Sequence, residues 1–174
     1  MQKQLIISIL IIAFSTDSFA QTEEGTWLLG GSGNFTSQKQ ADAKVTTFSI
    51  MPTVGYFFIH DLAAGAGVGF ASIKAEGEDA VTSFTFSPFV CYYFLPLGPK
   101  AKLFGNLGFG VGSVKSGSES EGLTSWEISA GPAIFLNKSI ALEVALAYGS
   151  IKIKSDPDNI SSFGFRAGFQ IHLK

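Results

Sequence analysis

Several residue types are scarce in this chain, and each scarcity closes off a class of protein. A single cysteine, Cys91, permits neither an internal disulfide nor a thiolate metal cluster. Charged residues make up only 15% of the sequence, the formal net charge is −2, and Lys and Arg form no cluster, so a nucleic-acid partner is not expected. Beyond residue 20 no apolar run approaches the roughly 18 to 20 residues that a membrane-crossing helix needs. Two histidines, His60 and His172, leave little material for a catalytic base.

What is present runs against a soluble protein. Hydrophobic residues reach 46% and the chain holds 17 Phe and 20 Gly, yet the apolar residues are dispersed, alternating with Gly, Ser, Thr and Ala. That dispersal suits strands that show lipid only every second side chain. At the N-terminus Lys3 precedes an apolar run from Leu5 to Phe14, and Ser18-Phe19-Ala20 follows. A positive start, a short apolar core and small residues spaced for cleavage read as a secretory signal peptide over residues 1–20, cut after Ala20. The remaining residues, 21–174, then form one domain.

Counting in twos divides that domain into eight strands. In the last, Phe163, Phe165, Ala167, Phe169, Ile171 and Leu173 share one face, against Ser162, Gly164, Arg166, Gly168, Gln170 and His172 on the other. Helical spacing would mix the two sets. Segments 46–58, 83–94 and 125–136 alternate in the same way, and the aromatics Phe48, Phe84, Trp126 and Phe163 recur about 36 to 42 residues apart. That interval is one hairpin with its connections. Four Gly-richer segments (25–37, 62–74, 101–115 and 139–154) lie between, with Gly65/Gly67/Gly69 and Gly108/Gly110/Gly112 on the polar face. The expectation is all-β: an eight-stranded antiparallel up-and-down transmembrane β-barrel. Pro52, Pro88 and Pro132 interrupt three of the strands and require a bulge or a local break in pairing.

The connections at 59–61, 95–100 and 137–138 are short, and those at 38–44, 75–80, 116–122 and 155–160 are polar and longer. Short turns belong on the periplasmic side and longer loops outside. The outward aromatics then sort into two belts. Trp27, Tyr56 and Tyr92 lie near the periplasmic end, and Phe48, Phe84, Trp126, Tyr148 and Phe163 near the outer end, where rings meet the headgroup layers.

With its signal peptide, four Gly/Phe-rich hairpins and a last strand ending Phe169-Gln170-Ile171-His172-Leu173-Lys174, the chain resembles the small outer-membrane β-barrel family. That family includes OmpX and the barrel domain of OmpA and is often labelled "porin family". Members commonly end in an aromatic residue, and this chain departs from that by ending in Leu173-Lys174. The resemblance implies a monomer placed in the outer membrane of a Gram-negative-type envelope by the barrel-assembly machinery, in contact with lipid and lipopolysaccharide. It implies no particular activity.

The inward charges are few: Lys102, Glu127, Glu143 and Arg166, from four consecutive strands. A charge in a narrow bore surrounded by hydrocarbon is costly unless paired, so Arg166 is expected to pair with Glu143, Glu127 or both, with Lys102 nearby. Phe57, Phe89, Tyr93, Phe104 and Phe135 fall inward near the periplasmic end and should obstruct it. Neither histidine lies near the outer belt, where a lipid-modifying enzyme would need one beside a Ser and an acid. Gly108, Gly110 and Gly112 alternate along a strand where a phosphate loop needs a turn opening a helix, and no cofactor is expected. The acidic residues of the outer loops could gather divalent cations, although ordinary solvated loops account for them as well.

Three functions remain. The first is a non-enzymatic barrel with an obstructed lumen and a structural or surface-interaction role. The second is a narrow pore for small solutes. The third is a secreted soluble barrel holding a lipophilic ligand, which would need its apolar face turned inward. On a detergent gel of the outer-membrane fraction, the unboiled protein should migrate differently from the boiled one. Recovery only in the soluble periplasm with no such shift would remove the membrane assignment.

Overall fold

A computed structural model describes residues 20–40 and 43–174. The expected signal peptide, apart from Ala20, lies outside the described residues. A short 3-10 turn, Ala20–Thr22, precedes eight strands: β1 (Trp27–Gln40), β2 (Ala43–Ile59), β3 (Leu62–Ala75), β4 (Val81–Pro96), β5 (Ala101–Ser116), β6 (Glu119–Phe135), β7 (Ile140–Ile153) and β8 (Asn159–Leu173). Each pairs antiparallel with its neighbours in sequence, and β1 pairs with β8 to close the barrel. No helix among the described residues is long and apolar enough to cross a membrane, which says nothing about crossing by strands.

Period-two alternation fixes the faces. Phe84, Phe86, Val90, Tyr92 and Phe94 of β4 are exposed, while Cys91 and Tyr93 between them are buried. The apolar bulk therefore points away from the axis, which removes the soluble lipid-carrier alternative. One rim carries the start of β1 and the end of β8 and is called the terminal rim below; the opposite one is the distal rim.

The repeat legible in the sequence has a structural meaning. Near the distal rim each sequential hairpin sets two outward aromatics directly opposite one another. The pairs are Phe35 with Phe48, Phe70 with Phe84, Phe109 with Trp126, and Tyr148 with Phe163. Cross-strand aromatic neighbours stabilise a sheet directly, so each pair reinforces its own hairpin. Near the terminal rim Trp27 and Tyr56 meet edge to face with centroids 5.2 Å apart, and Tyr92 lies 6.2 Å from Phe94.

The three prolines are accommodated by local breaks without a bulge. Pro52, Pro88 and Pro132 keep partners on the preceding strand: Gly31, Ala66 and Leu103. Toward the following strand the pairing lapses, from Ile50↔Phe70 to Thr53↔Gly67, from Phe86↔Val111 to Phe89↔Gly108, and from Ala130↔Leu146 to Ala133↔Glu143. The register is the same on both sides of each gap. Proline lacks the N–H that the ladder would use, so it removes a link without displacing the strand.

Two expectations about the connections need correction. β6 begins at Glu119, ahead of the expected Ser125, so most of the expected loop 116–122 is strand and the β5–β6 turn is only Gly117-Ser118. Gly117, at φ +58, supplies the left-handed conformation that a tight hairpin turn uses. The supposed contrast between long distal and short terminal connections therefore largely disappears. Backbone pairing is indifferent to the polarity of side chains, so the ladders continue past the aromatic belt into residues that read as loop.

The closing seam is short. β1 and β8 pair only from Trp27↔Leu173 to Ser32↔Gly168, leaving β1 from Gly33 and β8 up to Ala167 without each other as partners. Phe165, beside this open stretch, is 84% exposed, against 49% for Phe86 on β4, which is paired on both sides there.

An outward Val90→Arg change, midway between Phe84 and Phe94, should lower the unfolding free energy in lipid vesicles by roughly 2–4 kcal/mol, whereas Thr124→Arg, beyond Trp126, should cost about 0–1 kcal/mol. Equal costs in equilibrium denaturant unfolding would contradict the placement of the apolar belt.

Candidate functional site

The interior divides into a packed layer at the terminal rim and a cavity above it. Inward positions near the terminal rim carry the large side chains. Phe57, Tyr93, Phe104, Phe135 and His172 are all buried there. Phe57 lies 5.7 Å from both Tyr93 and His172, Tyr93 lies 5.9 Å from Phe104, and Phe135 lies 5.5 Å from His172, measured between ring centroids. Phe89 packs against this layer from above. Glycines make room for it: a Cβ at Gly65 would stand 2.6 Å from the Phe89 ring.

The segment before β1 completes the layer. The backbone N–H of Asp61 donates to the carbonyl of Thr22 at 2.8 Å, and the N–H of Phe57 donates to that of Thr26 at 2.9 Å. His172 Nδ1 donates to the carbonyl of Gln21 at 2.6 Å, and Lys174 Nζ lies 2.5 Å from a carboxylate oxygen of Glu23. Residues 21–26 are thus stitched to the β2–β3 turn on one side and to the end of β8 on the other.

Lys102 departs from its expected grouping. It does not join Arg166, but points to the terminal rim, where Nζ donates to Asp61 Oδ1 at 2.6 Å and to Thr22 Oγ1 at 2.9 Å. The Thr22 hydroxyl also donates to Asp61 Oδ1, at 2.5 Å. The reason lies in where Asp61 sits: in the His60-Asp61 turn, with φ +65, its carboxylate faces the bore instead of solvent. A buried ammonium takes the anion within reach.

The other three inward charges lie higher and do gather. Arg166 Nη1 forms an ion pair with Glu127, and Nη2 donates to Ser129 Oγ at 2.7 Å. Glu143 receives neutral donors instead: the Tyr93 hydroxyl at 2.6 Å and Gln170 Nε2 at 3.1 Å. A cavity of about 270 Å³ stands above the aromatic layer, walled by Glu127, Glu143, Arg166, Gln170, serines and threonines, and apolar side chains including Leu28 and Met51.

Sequence reasoning missed Asp61, Thr22 and Gln170. Asp61 was legible only as a turn residue, and residues 21–24 precede any alternation. Gln170 shows its inward parity plainly, but parity alone does not name a partner. Of the two histidines, His60 is exposed in the β2–β3 turn and His172 is buried among the rings. The belt residues Trp27, Phe48, Tyr56, Phe84, Tyr92, Trp126, Tyr148 and Phe163 are all exposed on the outer face. Among the described residues no three of His, Cys, Asp and Glu converge as a metal site would require.

Replacing Arg166 by Leu should destabilise the barrel by roughly 1–3 kcal/mol in urea unfolding, because Glu127 then faces the bore unpaired. Replacing Glu127 by Leu as well should restore much of that loss, and additive losses would contradict the pairing.

These features have counterparts among known proteins. The family described as outer membrane protein beta-barrel domain matches residues 6–171. Neisserial surface protein A has a similar structure, with a TM-score of 0.61 at 14% identity, covering 85% of this chain and 97% of that one. The outer membrane protein OprG from Pseudomonas aeruginosa gives a TM-score of 0.52 at 12% identity, covering 88% and 98% respectively. Such low identities speak for a shared fold. A comparison with curated proteins finds no match.

Proposed function

The chain belongs to the outer membrane protein beta-barrel domain family and resides in the cell outer membrane, and from that premise we propose a non-enzymatic barrel with a structural or surface-interaction role and a lumen closed at one end. An even number of strands puts both chain ends at one rim, and that terminal rim is placed at the periplasm, the side from which an exported chain is inserted, with the distal rim outside. Residues 1–20 serve as the export signal, the barrel-assembly machinery inserts a monomer, and the two aromatic belts meet outer-membrane lipid and lipopolysaccharide.

One observation carries the closed-end reading: the buried rings of Phe57, Tyr93, Phe104, Phe135 and His172, sealed below by the Lys102–Asp61–Thr22 contact. Eight strands leave a bore that side chains can fill, and here they fill it at one level. The non-catalytic reading rests on the two histidines, since one is in a terminal-rim turn and the other is stacked in the aromatic layer. Neither can take a proton from a distal serine.

The cavity of about 270 Å³ favours a second reading, a narrow pore for which it would be the outer half. Such a pore would have to displace the aromatic layer at each opening. In planar-bilayer recordings the protein should therefore show no steady, large open state. Stable conductance would overturn the closed end and favour the pore.

A further inference from the structure

The cavity above the aromatic layer is chemically lopsided. Its wall holds two carboxylates, Glu127 and Glu143, against one guanidinium, Arg166. Arg166 is engaged by Glu127, and below the cavity Lys102 is engaged by Asp61. Among the described residues no cation lies within ion-pair distance of Glu143, whose donors Tyr93 and Gln170 are both neutral. The carboxyl groups therefore outnumber the cations by one at this level of the bore.

Two polar groups of the wall also lack partners. Gln170 turns its amide nitrogen to Glu143, and its carbonyl Oε1 is buried without a partner, as is Thr53 Oγ1 on the other side of Gly30. Both residues line the cavity.

The rest of the lining is oily. Leu28, Met51, Phe89 and Phe104 surround the lower part, and Leu123 and Ile151 the upper part. An ammonium is attracted both to a carboxylate and to aromatic rings, and an apolar body would suit the aliphatic wall. A divalent metal ion fits poorly, since it prefers several converging oxygens and gains nothing from such a lining. The size is adequate: an apolar cavity of roughly 150 Å³ holds a benzene molecule, and this one is about 270 Å³.

We propose that the lumen is a blind binding pocket, reached from the distal side, for a small primary amine with an apolar body, whose ammonium group pairs with Glu143. Glu143 is the anchoring anion, and Glu127 is held by Arg166 and shapes the wall. The blindness of the pocket rests on the closed end proposed above, but the recognition does not.

The test uses the whole purified protein in detergent micelles and its amide NMR spectrum, with phenethylamine as the probe. Phenylacetate and 2-phenylethanol are the anionic and neutral controls. Phenethylamine should cause saturable shifts at lumen residues such as Ser87, Asn106 and Ala145, the anion should cause none, and the alcohol should bind more weakly. Glu143→Gln should weaken phenethylamine by about tenfold. Equal responses to all three probes, shifts only at outward residues such as Val90, or no saturable shift would each overturn the proposal. Unchanged affinity in a folded Glu143→Gln barrel would do the same. Should that variant fail to fold, the three-probe comparison on the unaltered protein still decides the matter. Bilayer conductance together with amine binding would remove the closed end and leave the pocket standing. Absence of binding in a non-conducting barrel would remove only the pocket.

Discussion

Within hydrocarbon no water is available to backbone N–H and C=O groups, so each strand must find its hydrogen-bond partners in its neighbours. The other features of this molecule are consequences of that demand or local exceptions to it. Eight strands meet it by pairing around a ring, and the ring forces alternate side chains to opposite faces. The exceptions are confined. Three prolines each remove a link toward the following strand while the register holds on either side, so the cost is a local one. The larger exception is the β1–β8 seam, which is laddered only from the terminal rim to Ser32 and Gly168. The segment of residues 21–26 adds hydrogen bonds at the rim where the seam is paired, so the barrel is closed most firmly at that end.

A narrow bore imposes a second constraint, on volume. Where inward side chains are large, those facing them must be small, and Gly65 is such a position. At Gly65 a methyl group would collide with the Phe89 ring as well as with the backbone of Val54 and Gly55. Large and small positions are segregated along the axis, so that rings concentrate at the terminal rim while glycine, serine and threonine predominate above. That segregation makes one end solid and leaves a cavity in the middle. A uniform mixture of sizes would have filled the bore evenly.

The faces of the strands were legible in the sequence because burial has a period of two and nothing in the barrel changes that period. The aromatics Phe48, Phe84, Trp126 and Phe163 announced a four-hairpin repeat, although their partners Phe35, Phe70, Phe109 and Tyr148 emerge only once the register is known. Connections were less legible, since residues such as Ser120 and Glu121 read as loop yet lie in a ladder that polarity does not end. Pairing among the inward charges was only partly accessible. Parity says that Lys102 and Arg166 both face the axis, but not at what height, and height decided that Lys102 meets Asp61. Residues 21–24 precede any alternation, so their contacts at the terminal rim had no signal in the sequence.

The two layers of charge differ in kind. At the terminal rim Lys102 is buried beneath the rings, and its ammonium is matched by one carboxylate and a hydroxyl that also donates to that carboxylate. Little is left over to attract anything else, and removing either ion would strand the other in a dry site. Higher up, Arg166 and Glu127 are partly exposed to the cavity, and the Glu143 carboxyl is held by neutral donors. Interactions in that layer face open space and can be altered without unpacking the rings. The rim layer is thus suited to holding the fold, whereas the upper layer keeps polar groups whose requirements the fold itself does not meet. If the barrel recognises a small molecule within its bore, the physical grounds for doing so lie in that upper layer.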